Sequence, residues 1–76
     1  MDIQKLINMV AEVYEVEADK VKPETVIREE LSNQSMLIIA LMSCVEEEFG
    51  VAIDLAEAGK LNTVQDVADK IESLLG

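Results

Sequence analysis

Apolar residues return at three- and four-residue steps in two stretches of the chain, the pattern of helices that bury one face. In the first stretch Ile3, Leu6, Ile7, Val10, Val13 and Tyr14 fall on one stripe, which starts just after Asp2, a side chain suited to capping a helix. In the second, Val64, Val67, Ala68, Ile71, Leu74 and Leu75 form an unbroken stripe behind Thr63, with Asp66 placed to favour the positive end of the helix. A further helix is predicted from about Ser35 to Phe49, with Ser32 and Asn33 as capping side chains and Gly50 as its stop. On its wheel Ile38, Leu41, Met42, Val45 and Phe49 share one face, and Met36, Ala40, Ser43 and Glu47 point the other way.

Two stretches lack such a stripe. From Val16 to Glu30 the chain holds its one proline, Pro23, among scattered charges, with Val21, Val26 and Ile27 as isolated apolar anchors, and this predicts a long ordered loop. Asp54 followed by Glu57 marks the start of a short helix, and Val51-Ala52-Ile53 is the only short β-like pattern. The predicted fold class is therefore all-α: a small four-helix bundle of three longer helices and one short one, with a long first loop, in a single domain over residues 1–76.

Charge narrows the range of partners. Six basic and 16 acidic side chains leave a formal net charge of −10, which disfavours nucleic acid and anionic membrane surfaces and favours partners with basic faces. The uncharged stretch from Leu31 to Val45 is broken by Ser32, Asn33, Gln34 and Ser35, and its apolar part falls short of the ~20 residues needed to span a bilayer. No membrane insertion is expected. The opening Met1-Asp2-Ile3-Gln4-Lys5 lacks the basic region and apolar run of a signal peptide, so a cytoplasmic location is expected.

Side-chain catalysis finds little to work with. The chain has no histidine, which removes histidine bases, Ser/His/Asp triads and histidine metal ligands, and its single Cys44 has neither a histidine base nor a second cysteine. Cys44 is expected to be a small packing residue. Glu46, Glu47 and Glu48 fan out over roughly 200° of a helix and cannot converge on one cation, so they are expected to form a solvated ridge rather than a metal site. Ser35 stands out by position: free N–H groups and the positive dipole at a helix start stabilise an attached phosphate there, although a serine so placed also serves as an ordinary cap.

The stretches Glu30-Leu31-Ser32-Asn33-Gln34-Ser35-Met36, Cys44-Val45-Glu46-Glu47-Glu48-Phe49-Gly50-Val51-Ala52-Ile53 and Leu61-Asn62-Thr63-Val64-Gln65-Asp66-Val67 resemble those of an acyl carrier protein, and the likeness runs from end to end. The resemblance implies that Ser35, matching the serine of the family's Asp-Ser-Leu motif, carries 4'-phosphopantetheine, whose thiol holds an acyl group as a thioester. It implies a carrier rather than an enzyme. Its expected partners are a phosphopantetheinyl transferase and acyl-synthesis or acyl-transfer enzymes of fatty-acid, polyketide or related pathways. Here the motif reads Gln34-Ser35-Met36, with Gln34 replacing the aspartate that normally assists recognition by the transferase.

With the family's early acids replaced by Leu37 and Ala40, the expected docking surface is Met36, Leu37 and Ile39 together with the later acids Glu46 and Glu47. The helical faces put Leu41, Val45, Ile53, Leu61, Val64 and Ala68 around an acyl cavity, positions that equally suit an ordinary core. Other readings stay open: an aminoacyl or aryl carrier, or a carrier-like interaction module that has lost the arm. A monomer is expected, with self-association through the apolar second helix as the alternative.

Overall fold

The computed structural model describes residues 1–76 and is helical throughout its regular structure. Its long helices are α1 (Ile3–Tyr14), α2 (Ser35–Phe49) and α4 (Val64–Leu75), and α3 (Leu55–Ala58) is a single turn. The four-helix arrangement is the one the periodicity predicts. Helix α1 packs against both α2 and α4, and α3 against α2. Leu6, Val10, Leu41, Val45, Val64, Val67 and Ile71 are sealed at the centre of one continuous apolar core.

The helix ends follow from local chemistry. The Asp2 carboxylate accepts from the Gln4 N–H, Asp54 from that of Glu57, and Thr63 from that of Asp66. At α4 the Asp66 carboxylate reciprocates by accepting from the N–H groups of Asn62 and Thr63, so two free donors are satisfied at once. Those backbone bonds hold the Asp66 carboxyl below the usual carboxylate range. Gly50 closes α2 in the left-handed conformation (φ 68°), which a side chain would disfavour, and its N–H reaches the Glu46 carbonyl at 2.9 Å.

The long loop is ordered, as expected, but it is not free of helical turns. Ala18–Lys20 form a 3-10 turn and Ile27–Leu31 a π-helical turn. Backbone bonds fasten the loop to the start of α4: the Ile27 N–H to the Asn62 carbonyl at 2.9 Å, the Val64 N–H to Thr25 at 3.1 Å and the Gln65 N–H to Pro23 at 2.8 Å. Thr25 is buried, and its hydroxyl accepts from the Lys22 N–H. Val51 and Ile53 point inward and Ala52 outward, but the segment pairs with no strand.

Two expectations are corrected. Neither Ser32 nor Asn33 caps α2. The residue before the helix is Gln34, with no capping hydrogen bond, and the Ser32 hydroxyl accepts from the Gln34 N–H instead, within the preceding turn. The apolar stripe of α4 is not buried to its end either. Leu74 and Leu75 are exposed, because the helix runs on past the elements that cover Ile71.

Candidate functional site

Ser35 is the first residue of α2 and is exposed. No side chain caps this helix and no acid lies in its first turn; the Leu37 N–H reaches the Gln34 carbonyl, and the N–H groups of Ser35 and Met36 remain available to an anion at the positive dipole end. The Ser35 hydroxyl bonds to no other protein group. An accessible hydroxyl at an uncapped helix start meets both requirements of a phosphodiester attachment point: reach for the modifying enzyme and stabilisation of the attached phosphate.

Beside Ser35 lies a cavity of about 270 Å³. The π-helical turn, the turn before α2, the first half of α2 and the α3 segment enclose it. Its lining includes Ser35, Ile38, Ile39, Leu55, Tyr14 and Arg28. No aspartate or glutamate borders it, although the chain has 16 acids.

Arg28 is the one arginine of the chain. Its guanidinium donates to the carbonyls of Ala58 (3.0 Å) and Leu61 (3.1 Å) and to the Asn62 side-chain oxygen (3.2 Å), which holds the segment after α3 against the π-helical turn. All three acceptors are neutral. Tyr14, at the end of α1, is buried, and that burial pushes its phenol above the ordinary tyrosine range against a smaller opposite pull from the Arg28 charge.

The six residues expected to line an acyl cavity belong to the core here, an arrangement their positions equally suit. Leu41, Val45, Ile53, Val64 and Ala68 are buried in the closed core, Leu61 is half-buried against it, and none borders the cavity at Ser35. A helical stripe identifies which side chains face inward, not where neighbouring elements leave a gap. The residues that do form the wall were missed for the same reason. Tyr14 reads as the last member of a core stripe and Arg28 as one charge among several in a loop.

Of the expected docking residues, Met36 (79% exposed) and Ile39 (45%) stand out from α2, and Glu46 and Glu47 are exposed farther along it. Leu37 is half-buried and packs against the core, so it does not join them as an exposed cluster. Leu55 of α3, 60% exposed, adds an apolar side chain across the cavity mouth. Cys44 is half-buried, in a hollow bordered by Lys5, Glu47 and Glu48. The Glu46–Glu48 run gathers no cation-binding cluster, and Glu48 is paired with Lys5 of α1. No helix is long and apolar enough to cross a membrane.

An exposed serine at an uncapped helix start, on a small helical bundle, suits a carrier-type domain. Comparison with known proteins makes that class specific. Residues 4–71 match the family model described as a phosphopantetheine attachment site, and the chain belongs to this family of carriers, which are not enzymes and whose prosthetic group is covalently attached 4'-phosphopantetheine. It is 42% identical over 71 residues to the acyl carrier protein of Thermosynechococcus vestitus, an alignment covering 93% of this chain and 88% of the relative. To the acyl carrier protein of Bdellovibrio bacteriovorus it is 40% identical over 68 residues, covering 90% and 87%, and to that of Helicobacter hepaticus 38% over 65 residues, covering 86% of each.

Proposed function

We propose that this protein is a discrete acyl carrier that is modified at Ser35 and presents thioester-bound intermediates to the enzymes of fatty-acid, polyketide or related acyl synthesis. The observation that carries this reading is the exposed Ser35 hydroxyl at the uncapped start of α2, opening on a cavity. When attached, the arm supplies the thiol that holds the acyl group. The protein's own residues do the rest: the first turn of α2 stabilises the phosphate, the cavity shelters cargo, and the surface of α2 addresses partners.

Met36 and Ile39 next to Ser35 form the proposed docking surface, with Glu46 and Glu47 supplying longer-range attraction to basic groups on the partner. Those partners are a phosphopantetheinyl transferase and acyl-handling enzymes. The protein works in the cytoplasm as a monomer.

The test is the intact mass after incubation with coenzyme A and a broad-range phosphopantetheinyl transferase. One phosphopantetheine per chain is expected in the wild type and none in Ser35→Ala, whose helical signal is unchanged. No mass gain in the wild type with several transferases, or an undiminished gain in Ser35→Ala, contradicts the proposal. The first of these results, repeated with the protein's native transferase, favours an armless interaction module, the reading that Gln34 in place of the motif aspartate supports.

A further inference from the structure

The cavity beside Ser35 is polar at one side in a way that a purely hydrocarbon cargo does not use. Tyr14 is only 8% exposed, and its hydroxyl bonds to no protein group. It is nevertheless not sealed from open space, since no buried side-chain oxygen or nitrogen in the protein is without a partner. The cavity is what Tyr14 borders. Arg28 shares that wall, close enough for its charge to act on the phenol. Three of its contacts go to neutral oxygens and it forms no ion pair, so N–H donors and a full positive charge remain for a further acceptor.

An alkyl chain filling this space would strip water from the Tyr14 hydroxyl and the Arg28 guanidinium and give nothing back, which is unfavourable for both groups. A chain ending in an oxygen acceptor reverses the sign, because hydrogen bonds from a charged donor in a confined site are among the strong ones. Size adds a second limit. At about 270 Å³ the cavity lies just below the usual size of ligand sites. A short acyl group therefore fits better than a long one.

We propose that the cavity receives a short acyl group carrying an oxygen beyond the thioester, a carbonyl or a carboxylate, and that Tyr14 and Arg28 bind that oxygen. This rests on Ser35 as the attachment site, since an arm attached there would start at the cavity rim and would have to fold back for its cargo to enter. Tyr14 and Arg28 are thus specificity-determining residues for cargo. No bond is made or broken at them.

The test loads the full chain from coenzyme A and from its butyryl, acetoacetyl and succinyl thioesters, verifies each product by mass, and compares melting. The acetoacetyl or succinyl form is expected to melt about 4–8 °C above the butyryl form, a shift that a domain of this size shows for one good added contact. The bare-arm and butyryl forms are expected to melt alike. The Tyr14→Phe variant should lose the gain.

A second readout needs no variant. The chain has one tyrosine and no tryptophan, so ultraviolet emission reports on Tyr14 and should change with the oxygenated cargo and not with butyryl. Equal effects of butyryl and the oxygenated groups on melting and emission overturn the inference, as does no effect from any cargo. So does a gain already complete with the bare arm, which would assign Arg28 to the phosphodiester. Failure of the arm to attach is a separate result: it overturns the carrier assignment, and this inference with it, before cargoes are compared.

Discussion

Leu41, Met42 and Val45, from the middle of α2 onward, are sealed in the core shared with α1 and α4, whereas Met36 and Ile39 nearer its start are exposed, at 79% and 45%. Both halves offer apolar side chains, and although only the second also carries acids (Glu46, Glu47 and Glu48), these do not account for the contrast between the apolar ones. The difference lies in what is packed opposite. The inner part of the helix joins the core built on α1, against which α4 also packs, while its first turns face the short α3 across a cavity. One helix therefore joins a half that holds the fold together to a half that stays open for attachment, cargo and docking.

The largest expected effect is in the closed half. Leu41→Ala removes a fully buried side chain from an interior with no slack, and a loss of ~2–5 kcal/mol is expected. In a domain whose total stability is about 5–15 kcal/mol this is a substantial part, read as a lower urea midpoint at unchanged slope. A loss no greater than ~0.5 kcal/mol, typical of a surface change, would show that the core is not closed there.

In the open half the effect should fall on partners instead. Ile39→Glu is expected to slow acyl transfer by the protein's own partner enzyme about tenfold, equivalent to ~1.4 kcal/mol, and to exceed the effect of Glu47→Lys. Binding should weaken only modestly as salt rises. The reverse order, or collapse of binding with salt, would make docking chiefly electrostatic.

A smaller effect is expected at the start of α4, which anchors the closed end. Thr63→Ala removes one side of the reciprocal cap and should cost about 1 kcal/mol, lowering Tm by ~4–8 °C. Asp66 supplies the pH dependence. Its carboxyl is held below its unfolded value, so its contribution is present above the ordinary carboxylate pKa and is lost as pH falls through the depressed folded value. Asp66→Asn should therefore flatten part of the acid limb of the stability curve, and an unchanged limb would contradict the capping role.

The smallest effect sharpens the contrast most. Met36→Ser should change stability by no more than ~0.5 kcal/mol, because the side chain is 79% exposed. A destabilisation comparable to that of Leu41→Ala would mean that the first half of α2 is also structural.

The closed half was legible in the sequence. The stripes of α1 and α4 and the Asp2, Asp54 and Thr63 caps are local patterns, and each formed where it was predicted. The open half was only partly legible. Ser35 could be placed at a helix start and matched to a family motif, but its cavity depends on how far α3 stands from α2 and on where a π-helical turn aims Arg28. Neither is encoded in spacing along the chain. Ser32 fails to cap α2 for a local reason, since its hydroxyl is taken by the Gln34 N–H in the turn before the helix. Leu74 and Leu75 show the converse, a regular stripe that outruns its partners.

The division of α2 finds its most direct test in fragment mass mapping of the modified protein. The chain offers four serines, Ser32, Ser35, Ser43 and Ser73, and Ser32 borders the same cavity as Ser35. The account predicts that all phosphopantetheine is on the fragment position of Ser35, the one serine that begins a long helix. Phosphopantetheine on Ser32 or on any other residue would contradict it.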